Sequence, residues 1–320
     1  MKTLITIGVA VYNIEEKILT ECIESIISNP SDSFEIIIVN DCSTNGCGAL
    51  CKKYADSDDR MVYIELAQNR GIGYVRNHII ENANGEWIVF VDGDDIIYND
   101  FEESVKCENA HDSDLLIYDY ASFKENQKFD GSFYNGKSEI LTQEETERFC
   151  AACLTEAPCS VRGKTLSKGC TAKAYKREFL IKNNIRFIEN LKISEDAMFY
   201  ADALHYCKKA VYFPFTLYYY RSGNCQSVTN RFNPDSDELK NYYMLYARKR
   251  IADYFPGRKN ITDDYCKFKI GAIIYRECKL NFFHKNNPKG IFERRKEFME
   301  FLSKNPYKES LEKIVPREYG

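Results

Sequence analysis

Three carboxylates gathered around one glycine, Asp92-Gly93-Asp94-Asp95, follow directly on the apolar run at residues 87–91. A buried strand that ends this way puts dense negative charge where a sheet meets solvent, the edge at which open α/β sheets bind ligands. Like charges so close raise one another's pKa unless a cation or hydrogen bonds compensate them. Mg²⁺ or Mn²⁺ is the economical compensation, because hard divalent ions take carboxylate oxygens and keep positions open for a diphosphate. Asp41 follows the run at 35–40 and Asn13 the run at 4–11 in the same way, so polar groups at parallel-strand ends converge on one crevice. A further acid pair, in Ser194-Glu195-Asp196, opens a helix whose apolar side carries Met198, Phe199 and Leu204. In structural terms Ser194 caps that helix and the acids complement its dipole. In chemical terms a carboxylate there is placed to act as general base toward an acceptor hydroxyl.

The elements that must position these residues alternate. Residues 4–11, 35–40, 61–66 and 87–91 read as strands, and EIIIVN at 35–40 is continuously apolar, as in a strand buried on both faces of a parallel sheet. Residues 14–29 put Ile18, Leu19, Cys22, Ile23, Ile26 and Ile27 on one helical face with Pro30 as the stop, and 72–82 predict a helix leading into the Asn84-Gly85 turn. This alternation is the βαβ signature of an α/β sandwich. Further on, 115–120 predicts a strand, 131–139 a polar loop or edge hairpin, 143–154 a helix, 171–175 a short strand and 177–182 a helix. The aromatic run at 212–221 reads as a strand whose Pro214 suits an edge or a strand start. From Ser236 onward, helical spacing broken at Pro256-Gly257 and Asn286-Asn287-Pro288 reads as a helical appendage.

Composition narrows the function classes. With 44 Lys+Arg against 48 Asp+Glu the 320-residue chain carries a formal charge of −4, which excludes a generic polycation wrapped on nucleic acid. A 44% hydrophobic, 14% aromatic chain can bury a sizeable core and is not mainly disordered. Thirteen cysteines at irregular spacing, without an apolar leader, read as reduced thiols of a cytoplasmic protein. No apolar run approaches the ~18 residues of a spanning helix.

Several motifs fail. Gly71-Ile72-Gly73-Tyr74-Val75-Arg76 has arginine where a dinucleotide fingerprint has its third glycine, and it follows the third strand rather than the first. Gly163-Lys164-Thr165 ends like a phosphate loop, but the leading glycine position holds Pro158. Cys150, Cys153, Cys159 and Cys170 offer four thiols to zinc, yet the first pair lies in an apparent helix, which favours ordinary semi-buried thiols. The four histidines, at 78, 111, 205 and 284, have no close metal-ligand spacing.

Together, ITIGVAVYN (5–13), EIIIVNDCSTNG (35–46), NRGIGYVRN (69–77), GEWIVFVDGDD (85–95), AKAYKREFL (172–180), SEDAMF (194–199) and YYYRSGNCQSVT (218–229) resemble the family 2 glycosyltransferases of the GT-A fold, in the bacterial type that builds capsule, exopolysaccharide or lipopolysaccharide units. The resemblance implies a mixed central sheet flanked by helices. The chain then divides into a catalytic domain over 1–230, with 1–120 as donor-binding half and 121–230 as acceptor-side half, and a helical C-terminal extension over 231–320. It implies inverting transfer of a sugar from a nucleoside-diphosphate donor, UDP being favoured through Asp41, to a saccharide or lipid-linked acceptor. Asn13 and Asp41 would line the nucleoside pocket, Asp92 face the donor ribose, and Asp94 hold the Mn²⁺ or Mg²⁺ bridging the diphosphate. Arg76 would meet donor phosphate or lock Asp92, Asp95 touch the donor sugar or the metal shell, and Asp196 serve as the catalytic base. Arg221 and the segment to Ser227 would form a loop over the diphosphate.

The chain departs from the family pattern at Cys42, where glycine is common, at Asn45, where a second Asp is common, and at 167–171, which lacks the usual tryptophan. Its only tryptophan, Trp87, lies in a core strand, so the QxxRW motif of processive synthases is absent and one sugar per encounter is expected. Basic and aromatic residues from Arg276 to Lys296 suit either a helical cap or peripheral contact with an anionic inner leaflet. A metal-dependent nucleotidyltransferase is the alternative enzyme, and a nucleotide-sugar-binding protein without activity is the non-enzymatic alternative.

Overall fold

The computed structural model describes residues 3–28, 31–97, 101–124, 135–160, 163–191, 194–222 and 236–314. Pro30 and residues 131–134 of the expected hairpin lie outside them. The chain forms two compact units, Met1–Glu147 with Ser160–Gly223, and Arg148–Cys159 with Asn224–Gly320. Among the described residues no helix is long and apolar enough to cross a membrane.

The first unit is built on one nine-stranded sheet in the order β3-β2-β1-β4-β8-β6-β9-β5, with β7 also paired to β9. The strands are β1 (Ile5–Val11), β2 (Phe34–Asn40), β3 (Met61–Glu65), β4 (Trp87–Asp92), β5 (Ile96–Ile97), β6 (Leu115–Phe123), β7 (Glu139–Ile140), β8 (Lys173–Lys176) and β9 (Ala210–Arg221). The first four are mutually parallel, and β8 enters antiparallel between β4 and β6. This is the mixed sheet that the GT-A resemblance implies.

Strand alternation gives the parallel half two apolar faces. Ile5, Ile7, Val9 and Val11 of β1, with Ile36 and Ile38 of β2 and Val89 and Val91 of β4, join one core with Leu19, Cys22, Ile23 and Ile26 of α1 (Glu16–Ile27) and Cys47 and Cys51 of α2 (Cys47–Ala55). On the other face lies α3 (Ile72–Asn82), so close at Gly8 that an added Cβ there would stand 2.3 Å from Ile79 Cγ2. Phe90, also on that face, packs at 5.3 Å from Phe187 and 5.8 Å from Phe199. Short helices α4 (Glu102–Lys106) and α5 (Glu108–His111) follow β5, α6 (Gln143–Thr155) follows β7, and α7 (Arg177–Lys182) follows β8. Phe199 belongs to α8 (Glu195–Tyr206).

The strand holding Pro214 is not at an edge. β9 pairs with β6 along its length, with β7 at Val211 and Tyr212, and with β5 at Tyr218 and Tyr219. Proline is accommodated because the register shifts there: Phe213 faces Tyr118 but Thr216 faces Asp119, a bulge that removes the need for a ladder N–H.

The second unit is helical, with α9 (Ser236–Tyr254), α10 (Lys259–Asp264), α11 (Gly271–Glu277), α12 (Ile291–Leu302) and α13 (Tyr307–Ile314). Two π-helical stretches, Tyr265–Ile270 and Cys278–Phe282, flank α11. Its aromatic residues make a small core, in which Phe301 lies 5.4 Å from Phe282 and 4.0 Å from Tyr307.

Candidate functional site

Strand register sets the site. Val11 lies opposite Asn40 and Ala10 opposite Asp92, so Asn13, Asp41 and the Asp92 turn leave the same edge of the parallel half, from strands about 4.8 Å apart. Asn13 is left-handed (φ 49°); its Oδ1 accepts from the Thr44 N–H at 2.7 Å and its own N–H donates to Ser43 Oγ at 2.9 Å, which ties the β1 and β2 loops together. Asp41 is 3% exposed, and its two carboxylate oxygens accept from the N–H groups of Arg70 at 2.7 Å and Gly71 at 2.8 Å. The end of β2 thereby aims the start of α3, where a carboxylate is also favoured by the helix dipole. Cys42, where the family commonly has glycine, is left-handed (φ 57°), a conformation costing a side-chain-bearing residue roughly 1–2 kcal/mol. Asn45 reaches back to the Ile14 carbonyl at 2.9 Å and accepts from the Cys47 N–H at 3.1 Å, so it holds the start of α2.

The turn after β4 requires its glycine. A Cβ on Gly93 would stand 2.6 Å from Ile14 Cδ1 and 3.0 Å from the Ala10 carbonyl. The acids around it face different partners. Asp92 Oδ1 accepts from Arg76 at 2.6 Å. Asp95, 1% exposed, accepts from Tyr218 Oη at 2.5 Å and from the Arg221 N–H at 2.7 Å. Arg221 in turn donates through Nε to the Asp94 carbonyl at 2.9 Å and pairs with Glu21 of α1 at 2.7 Å. Asp94 itself is half-buried. The last strand of the sheet therefore braces the turn. The expected loop from Arg221 to Ser227 lies outside the described residues beyond Ser222.

Arg76 joins this turn to the start of α8. It is 4% exposed, and while one terminal nitrogen holds Asp92 the other donates to Glu195 Oε1 at 3.0 Å, 119 residues away in sequence. Its neighbour Asn77 clamps the approach to α8: Nδ2 donates to the Phe187 carbonyl at 2.9 Å and Oδ1 accepts from the Phe187 N–H at 2.8 Å. The Phe187 ring stacks on Phe199 at 3.8 Å. Ser194 stands at the expected cap position but in a left-handed conformation (φ 59°) without a side-chain cap bond. Asp196, next to Glu195 and half-buried, accepts from the Ala197 N–H at 2.7 Å, and an added Cβ on Gly169 would stand 2.7 Å from its Oδ2. The loop carrying Gly169 is held by Lys173, wholly buried, whose Nζ donates to the carbonyls of Ser167 at 3.0 Å and Thr171 at 2.9 Å and lies 4.2 Å over the Tyr200 ring.

Burial and mutual repulsion govern the charges. Desolvation, then Asp196, push Glu195 up to about 7 in spite of Arg76. Desolvation, then Asp92 and Asp94, push Asp95 up to about 8 against its two hydrogen bonds. Burial alone would lower Arg76, but Asp92 foremost and Glu195 and Asp196 among its neighbours hold it firmly protonated. The arrangement is a buried cation linking two acid clusters, one at a parallel-strand end and one at a helix start. Asn77 was absent from the residues singled out in the sequence. The acidic pair at 195–196 was visible there, but which acid turns inward was not.

Comparison with known proteins agrees with this geometry. The sequence profile of "Glycosyl transferase family 2" matches residues 6–161. EpsH of Bacillus subtilis (strain 168), whose name marks it as a presumed glycosyltransferase, is 29% identical over 316 residues, 97% of this chain and 86% of that protein. Glycosyltransferase GlyA of Streptococcus pneumoniae is 38% identical over 131 residues, 41% of this chain but 18% of its own length. The crystal structure of S. aureus TarS 1–349 in complex with UDP-GlcNAc shares the fold at 19% identity with a TM-score of 0.66, over 98% of this chain and 82% of that one. The strand-end acids, the Arg76 joint and the matched span lead to one assignment: residues 6–161 of the chain carry the glycosyl transferase family 2 pattern.

Proposed function

We propose that the protein transfers a sugar, one per encounter and with inversion, from a nucleoside-diphosphate donor to a hydroxyl of a saccharide or lipid-linked acceptor in bacterial surface-polysaccharide synthesis. The observation that carries this reading is the Arg76 joint, which ties the Asp92 turn and the residue preceding Asp196 to one buried guanidinium. Residues 1–120 serve the donor and 121–230 the acceptor. UDP is favoured because TarS is described with UDP-GlcNAc on the same fold. Asp41 retains lone pairs beyond those given to Arg70 and Gly71, which leaves acceptor capacity for the uracil edge.

A hydroxyl held by Asp196 loses its proton to that carboxylate as the oxygen attacks the anomeric carbon, opposite the departing diphosphate. Asn13 and Asp41 line the nucleoside pocket, Asp92 meets the ribose, and Arg76 and Arg221 supply positive charge toward the leaving group. Asp95 acts through its bonds to Tyr218 and Arg221, positioning the turn for the donor.

Among the described residues no three His, Cys, Asp or Glu come together to hold a metal ion. We assign a divalent ion to Asp94, half-buried in the turn that ends β4, because Asp92-Gly93-Asp94 resembles the paired acids of the family. Mg²⁺ is commonly held by one or two carboxylates plus substrate phosphates, and these residues fit such an ion when the diphosphate brings it. Bound there, Mn²⁺ or Mg²⁺ would neutralise charge on the leaving group.

We place the activity at the cytoplasmic face of the membrane, with peripheral contact through α12, where Phe292 is 85% and Ile291 59% exposed beside exposed Lys285 and Lys289. Absence of recovery with anionic liposomes on flotation would count against that contact. The activity itself is tested by incubating the protein with a panel of nucleotide sugars and Mn²⁺ and identifying the product. Release of a nucleoside diphosphate, lost in Asp94→Ala together with Mn²⁺-dependent donor affinity, is expected. Pyrophosphate release from a triphosphate would instead establish nucleotidyl transfer.

A further inference from the structure

The helical unit holds a cavity of about 630 Å³, within the range of small-molecule sites, formed by the end of α9, the loop at 256–259, α10, the first π-helical stretch and α13. Its floor is apolar, with Ile251 and Phe255, both nearly buried. Four Lys and Arg against two Asp and Glu line it, a positive excess in a chain whose net charge is −4. Arg248, Arg258 and Lys259 are exposed, while Lys313 pairs with both acids, at 3.4 Å to Asp263 and 3.2 Å to Glu309. One wall, Tyr265 and Cys266, lies where the chain enters π-helical hydrogen bonding. Such stretches are uncommon and are frequently found at functional sites.

A ligand complementary to this cavity needs an apolar body and a compact anionic head. We propose that it binds a phosphate monoester of an alkyl or isoprenyl chain, the chain lying along Ile251 and Phe255 and the phosphate held by Arg248, Arg258 and Lys259. Guanidinium pairs with phosphate through two parallel hydrogen bonds, so two arginines and a lysine match a dianion. A chainless phosphate would lose the apolar contact and an alcohol the ionic one. The site asks nothing of the sugar-transfer reading, since its test reads binding alone.

The test is calorimetric titration of the full chain with farnesyl phosphate below its micelle concentration, in parallel with inorganic phosphate and farnesol. Saturable binding of the ester is expected, at least 10-fold weaker in Ala252→Trp, which fills the cavity, and in the Arg248→Gln/Arg258→Gln pair, which removes charge at exposed positions. Both probes lacking one half of the ligand should bind at least 10-fold more weakly than the ester. No binding of the ester, equal affinity in both variants, or either half-probe binding as tightly as the ester would overturn the proposal.

Discussion

The turn after β4 and the start of α8 are both runs of adjacent acids, and each divides them in the same way. At the turn Asp95 is buried and given to Tyr218 and a backbone N–H, while Asp94 beside it is half-buried. At the helix Glu195 is 8% exposed and given to Arg76, while Asp196 beside it is half-buried. The two inward acids differ in their partners. Asp95 has neutral donors, Glu195 a guanidinium, and yet burial pushes both carboxyl groups upward. A cation at hydrogen-bond distance does not by itself offset desolvation when another carboxylate stands next door. Neighbouring acids of one motif are therefore not interchangeable: one is buried against donors of the fold and the next is half-buried.

The sharpest way to break the comparison is Arg76→Met, which leaves both clusters without their shared cation. Removing one partner of a buried ion pair costs about 3–5 kcal/mol, so urea unfolding should show a loss of that order and transfer should fall below detection. A loss under about 1 kcal/mol would mean that the joint is not structural. Asp196→Asn should next lower kcat by roughly 10²-fold, the scale of a lost general base, with donor affinity kept. Glu195→Gln, at the inward position, should cost less in kcat than Asp196→Asn, and the reverse order would overturn the assignment of inward and outward roles. The smallest effect concerns pH. Asp95 is raised from an ordinary carboxylate value to about 8, so the folded state binds its proton more tightly than the unfolded one. Its contribution is full below about pH 4 and is lost as pH rises through about 8. The melting temperature of the wild type should accordingly fall relative to Asp95→Asn between pH 5 and 8; parallel profiles would show that Asp95 does not titrate there.

Much of the parallel half was legible because β-branched runs and helical spacing are local signals. The expected helix at 72–82 matches α3, and the four expected strands lie within a residue of β1 to β4. The two-residue strands β5 and β7 carry no such signal; they exist because β9, far along the chain, offers edges on its free side. For the same reason Pro214 suggested an edge, since the bulge that excuses it depends on pairing with β6. The polar groups at the strand ends were legible from type and position. What escaped was burial: Glu195 read as a dipole-complementing acid, and its bond to Arg76 spans 119 residues. Ser194 likewise read as a side-chain cap, whereas a left-handed backbone makes the entry to α8 without one.

The bracing of the turn by β9 bears on how the molecule is made. Arg221 reaches the Asp95 carboxylate across 126 residues and the Asp94 carbonyl across 127. During translation the ribosome releases β1 to β4 long before the strand that secures their terminal turn. A nascent chain halted anywhere between Asp95 and Tyr218 would therefore contain the entire Asp92-to-Asp95 sequence yet lack its supports, so donor affinity should appear abruptly with chain length rather than accumulate.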